Sequence, residues 1–237
     1  MKTKNILSTV ALLGLLFPSV SFNSPAMAQS LRSLLPSSSY SARVGFVPPR
    51  ENGSPSNTRS AASRYLCQGA AIVPEDGLVL TTKEKPSLYM YVNEGFAEKA
   101  MLVVESSAGE EYTEVVSFSK EGGVVTFDMP TEAPMLQVGE QYNWTFILMC
   151  DGTIRPDSPV MRGEIKRVAP ILTADQSESM PLAQQAEVYA EAGIWEDMLS
   201  AMAMIRAANP ADSTVWVHAL QSVGFEENIA EAPLLVQ

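Results

Sequence analysis

Tyr142-Asn143-Trp144-Thr145-Phe146-Ile147-Leu148-Met149-Cys150 is the stretch that decides the fold. Successive side chains of an extended strand point to opposite faces. Period two therefore puts Tyr142, Trp144, Phe146, Leu148 and Cys150 on one face. The run reads as a core strand with a heavy aromatic face that ends in a cysteine. It indicates architecture and carries no chemistry of its own.

Short runs of the same kind surround it. Ala70 to Val73 ends at Pro74-Glu75-Asp76-Gly77, where proline's fixed φ and glycine's free one make a turn. Leu78 to Thr81 and Ala100 to Val104 are short apolar runs. Leu88, Met90 and Val92 alternate with Tyr89 and Tyr91. Tyr112 to Phe118 and Val124 to Met129 flank Glu121-Gly122-Gly123, which reads as a hairpin turn. Asp151-Gly152 turns the chain after Cys150, and Val160 to Val168 follows. Residues 64–170 thus predict a mainly β domain, an immunoglobulin-like antiparallel β-sandwich. Trp144 sits beside the second cysteine rather than on a middle strand, so the likeness is one of architecture and not of the strict immunoglobulin pattern.

After Pro170 the grammar becomes helical. Ser179 reads as an N-cap with Pro181 in the first turn, and Leu182, Ala186, Tyr189 and Ala190 share a face. Gly193 suits a C′ position. Trp195, Met198, Leu199, Met202 and Ile205 form the apolar stripe of a second helix, stopped at Asn209-Pro210. Trp216, Ala219, Leu220 and Val223 mark a third, ended by Gly224. Tyr189, Gly193, Trp195 and Pro210 resemble a partial tetratricopeptide repeat, although Met198 and Ile205 stand where that repeat has small residues. About one and a half repeats fit, too few for a full groove. The expected organisation is helices over 177–226 and a loose tail over 227–237.

The N-terminus reads as an export signal over residues 1–28. Lys2 and Lys4 precede the apolar run Ile6 to Phe17, and Ala26-Met27-Ala28 supplies the small residues of a cleavage site. The run is too short for a permanent transmembrane helix, and no other segment of the mature chain is apolar enough to cross a membrane. The expected location is the periplasm or cell surface. Residues 29–63, rich in Ser, Pro, Arg and Asn, read as a flexible leader. Within it Val44-Gly45-Phe46-Val47-Pro48-Pro49 reads as an edge strand ended by its prolines.

The chain has 16 Lys+Arg against 27 Asp+Glu, a net charge of −11. Without Lys2 and Lys4 the balance is −13. Such a surface repels phosphate backbones, so nucleic acid is not an expected partner. Cys67 and Cys150 are the two cysteines. They form one bridge or remain two buried thiols, and an oxidising compartment favours the bridge.

Catalytic candidates are few. His218 is the single histidine and lies off the apolar face of its helix. No P-loop or Gly-x-Ser-x-Gly elbow occurs. One histidine and two widely spaced cysteines do not compose a zinc site, and Asp151-Gly152-Thr153 with Asp157 lacks the acids of a calcium loop. No catalytic residue, metal ligand or cofactor is assigned. A carboxylate pair for glycoside hydrolysis needs only two acids close in space, and 27 acids make the sequence uninformative there. Tyr89 and Tyr91, opposite Leu88, Met90 and Val92, stack on a sugar or partner if that sheet face is open, and are core if it is covered. Asn143-Trp144-Thr145 is a glycosylation sequon in form only, because it sits in a core strand.

The order of motifs resembles a bacterial family found mainly in cyanobacteria, domain-of-unknown-function family 928. The resemblance rests on Val47-Pro48-Pro49, Ala62-Ser63-Arg64-Tyr65-Leu66-Cys67, Pro86-Ser87-Leu88-Tyr89-Met90-Tyr91-Val92, Gly139 to Phe146, Cys150, and Ala190 to Asp197. It implies an exported envelope protein without an established activity. The reading that follows is a non-catalytic protein-interaction or structural module with an envelope protein as partner. The alternative is a carbohydrate-binding or carbohydrate-active module with a glycan as ligand.

Overall fold

The computed structural model describes residues 44–48, 60–62, 67–74, 78–95, 97–129 and 132–235. The expected export signal and most of the expected leader lie outside the described residues. Among the described residues, ten strands form two five-stranded sheets. The first contains β1 (Ser60–Ala62), β2 (Gln68–Ala71), β4 (Ser87–Val92), β7 (Gly123–Asp128) and β10 (Leu234–Leu235), in the order β1-β2-β4-β7-β10. The second contains β3 (Val79–Thr81), β5 (Ala97–Ser106), β6 (Glu111–Ser117), β8 (Gln141–Cys150) and β9 (Val160–Arg167), in the order β3-β9-β8-β5-β6.

The deciding stretch is β8, the central strand of the second sheet, paired antiparallel to β5 and β9. Tyr142, Trp144, Phe146, Leu148 and Cys150 are all buried, as period two requires. They face the first sheet, where Phe127 meets Phe146 with ring centroids 4.8 Å apart. Cys67, just before β2, is bonded to Cys150 at the end of β8, with Cα atoms 6.3 Å apart. The bridge therefore joins the two sheets. Gly163 on β9 lies opposite Trp144, and a Cβ there would overlap the indole. Its glycine makes room for the largest ring of the core face.

Both sheets are mixed, which corrects the wholly antiparallel expectation. β3 runs parallel to β9, and β10 runs parallel to β7. Each parallel pair joins strands far apart in sequence, because a parallel connection needs a long crossover. Local turn signals do not report such pairings. Glu121-Gly122-Gly123 is not a hairpin either. β6 pairs with β5 in one sheet and β7 with β4 in the other, so the segment carries the chain between sheets. Cβ atoms at Gly122 and Gly123 would strike the Glu94 backbone and the Pro233 carbonyl. These glycines permit a close crossing as well as a turn.

Among the described residues five helices follow: α1 (Ala174–Ser179), α2 (Leu182–Glu191), α3 (Trp195–Ala208), α4 (Thr214–Ser222) and α5 (Glu227–Ala230). Ser179 ends α1 and does not cap α2. The capping box is Thr173 with Gln176, one turn upstream of the expected start. Ser60–Ala62, inside the expected leader, forms edge strand β1. Val44 to Pro48 docks without becoming a strand. Val44 is buried, the Phe46 ring meets Trp195 edge-on at 4.8 Å, and Val47 N–H donates to the Ala190 carbonyl at 3.3 Å. Where a loose tail was expected, α5 and β10 are held by Arg206. Its guanidinium donates to the Ala232 carbonyl at 2.8 Å and lies 5.3 Å from the Trp216 ring centroid.

Candidate functional site

Helix α3 lies on the outer face of the first sheet. Leu88, Met90 and Val92 turn inward to the second sheet, so Ser87, Tyr89 and Tyr91 of β4 turn outward. β7 adds Thr126 and Asp128 to that outward face, paired with Tyr89 and Ser87. Trp195 opens α3 and is fully buried; its indole N–H donates to the Ile72 carbonyl at 2.8 Å. Mixed apolar and small residues all round α3 are the composition of a covered helix. That covering also buries the two acids of its first turn, Glu196 and Asp197.

Asp197 fastens the helix to the edge of the second sheet. Its Oδ2 accepts from Thr81 Oγ1 at 2.8 Å and from Thr82 N–H at 2.9 Å, and its Oδ1 accepts from Thr82 Oγ1 at 2.6 Å. Thr81 ends β3, so a carboxylate of α3 collects donors from the last residue of an edge strand and from the residue after it. Both oxygens accept from the chain's own groups. Glu196 beside it is 1% exposed, and its Oε2 has no hydrogen-bond partner. Burial pushes the Glu196 carboxyl well above the usual carboxylate range, the Asp197 charge pushes the same way, and Lys83 opposes both. Tyr189 of α2 is raised by burial and then by Asp197.

The structure covers one of the two strand tyrosines and half-covers the other. Tyr89 is 5% exposed, packs edge-on against Trp216 at 6.3 Å, and donates to Ser200 Oγ at 3.3 Å. Burial, opposed in part by that hydrogen bond, lifts its hydroxyl to about 12. Its ring is therefore core, while its outer edge borders a cleft. Tyr91 is half-buried against the same core. His218 is exposed on α4. The Cys67–Cys150 pair is structural.

Two clefts open along the seam. One, of about 310 Å³, runs between β4, β7 and α3 and is lined by Ser87, Tyr89, Thr126, Asp128, Ser200 and Met204 among others. The second, of about 410 Å³, lies between α3 and the α1–α2 pair and includes Leu172, Tyr189 and Asp197. They meet at Lys83, Ser200 and Met204. Among the described residues no group of three or more His, Cys, Asp or Glu side chains is placed to hold a metal ion. No described helix is long and apolar enough to cross a membrane.

Glu196 and Asp197 escape sequence reading because two acids in a first turn look like solvated helix-dipole partners. The signal that could have found them is the apolar and small-residue composition on every side of α3. No curated protein matches the chain. The Domain of Unknown Function family DUF928 matches residues 54–234, from before the bridge cysteine Cys67 to the start of β10. The sandwich, its disulfide and the helices fastened to it thus fall within one family unit, and the chain belongs to DUF928.

Proposed function

We propose that this chain is an exported, non-catalytic protein-interaction or structural module of the cell envelope. The observation that carries the reading is the outer face of the second sheet. Val115, Met101, Ile147 and Val160 are register partners in one row across β6, β5, β8 and β9. Val115 is 51% exposed and the other three are half-buried. An apolar row of this kind is a feature of contact surfaces. Further along the same strands Glu105 lies directly opposite Glu111, both exposed. Like charges facing each other across a pair are unfavourable, and a basic partner relieves them. The partner expected is therefore an envelope protein presenting an apolar strip with basic residues beside it.

On this reading the sandwich, immunoglobulin-like in kind, is a rigid support and the α2–α3 pair, a partial tetratricopeptide repeat, is its helical cap. The inter-sheet disulfide and the hydrogen bonds that tie Asp197 to Thr81 and Thr82 support that division. Site-specific photo-crosslinking from position 115 in envelope fractions tests it. A discrete protein adduct, lost on Glu105→Lys with Glu111→Lys, is expected. Absence of any adduct above that from a position on α4 counts against the reading.

A second reading, a carbohydrate-binding module, is favoured by one separate observation. Hydroxyls and a carboxylate converge with apolar side chains in the cleft beside Tyr89.

A further inference from the structure

We infer that the 310 Å³ cleft between β4, β7 and α3 binds one ring of a neutral sugar, with Asp128 as the principal acceptor for its hydroxyls. The inference rests on the carbohydrate reading and names the site for it. The volume lies at the lower end of the range for small-ligand pockets.

The floor is built by register. Ser87 faces Asp128 and Tyr89 faces Thr126, two neighbouring rows on one sheet face. All four polar groups therefore point the same way. Ser87 Oγ donates to Asp128 Oδ1 at 2.6 Å, which orients the carboxylate and leaves Oδ2 for a ligand hydroxyl. The Tyr89 hydroxyl is held in place by its hydrogen bond to Ser200 Oγ at 3.3 Å. The opposite wall, from α3, is apolar beyond Ser200, with Ala203, Met204 and Ala207, and Leu234 of β10 adds an apolar side chain at the sheet edge beside β7. Met204 is 58% exposed, a large apolar side chain at the rim that core packing does not use.

One wall that accepts and donates hydrogen bonds and one that is apolar match a pyranose, whose hydroxyls lie at the ring edge and whose C–H groups form a face. The charges point to a neutral ligand. Lys83 and Asp128 both line the cleft and offset each other. A free anion would meet Asp128, and a free cation would meet Lys83. The meeting with the second cleft at Lys83 gives a further ring of the same chain a place to continue.

The test uses the full chain, titrated by NMR with neutral mono- and disaccharides of glucose, galactose, mannose and N-acetylglucosamine. A single ring in an open cleft is expected to bind with Kd on the order of 1 mM. Asp128→Asn should weaken binding about tenfold through loss of a charged acceptor, and Ala207→Trp should abolish it by filling the cleft. Both positions are exposed, and the melting temperature checks that folding is kept. Sugar binding that neither variant alters overturns the site while sparing the carbohydrate reading. No sugar binding at all overturns both, and binding of simple alkylamines in place of sugars overturns the proposed ligand class.

Discussion

Asp197→Ala should be the most damaging single change on α3's polar side. Thr81 is fully buried, so its hydroxyl loses a charged acceptor with no water to replace it, at about 1.5–3 kcal/mol. Thr82 is half-buried, and its N–H and hydroxyl can turn partly to water. Those two together add roughly 1–2 kcal/mol. Relief of the neighbouring Glu196 works in the opposite direction, so the total expected is about 3–4 kcal/mol, a large share of a domain's usual 5–15. Urea unfolding followed by tryptophan fluorescence measures it, with exposed Glu191→Ala as a control expected within about 0.5 kcal/mol of the parent. A double-mutant cycle of Asp197→Ala with Thr81→Val isolates the pair, with an expected coupling of about 1–2 kcal/mol. A cost for Asp197→Ala under about 1 kcal/mol, or a coupling of zero, refutes the reasoning that this carboxylate fastens the helix.

Other outcomes follow from neighbouring groups. Glu196 is raised in the folded chain, so between the ordinary Glu pKa of about 4.3 and its folded value the folded state holds a proton that the unfolded state has lost. Its contribution to stability is then greatest below about pH 4 and falls as pH rises through that window. Glu196→Gln removes the dependence, so its melting temperature should gain on the parent from pH 4 to pH 8; parallel curves would contradict this. Gly163→Ala should cost about 1–3 kcal/mol by overpacking against Trp144, whereas Gly45→Ala, with open space around it, should be neutral in the same unfolding assay. Replacing Cys67 and Cys150 by alanine opens a loop whose ends are 83 residues apart, for which the chain-entropy relation gives about 4.5 kcal/mol as an upper value. An unchanged denaturation midpoint would show that the bridge constrains nothing.

Strand identity was legible wherever period two was strict. Tyr142 to Cys150 announces both its secondary structure and its buried face, and β8 has both. Two cysteines allow a single pairing, and the structure, not the count, decides for the bridge over two thiols. Partnering was not legible, because it depends on pairs distant in sequence. Nothing near Gly122-Gly123 distinguishes a hairpin from a crossing between sheets; the atoms that require glycine belong to Glu94 and Pro233. The same is true of Leu234 and Leu235, whose place beside β7 depends on Arg206 holding the preceding carbonyls. For the candidate site, Tyr89 was visible as an outward strand aromatic, but its cover is a helix more than 100 residues later. Glu196 and Asp197 were hidden by resembling ordinary first-turn acids.

The helices are built onto the sandwich and open with it. Native-state hydrogen exchange of the backbone amides of β8 and α3 measures this directly. The most protected amides of both elements are expected to share one opening free energy, within about 1 kcal/mol, and to fall together in Asp197→Ala. Amides of α3 that open several kcal/mol more easily than those of β8, with the sandwich still closed, would contradict it.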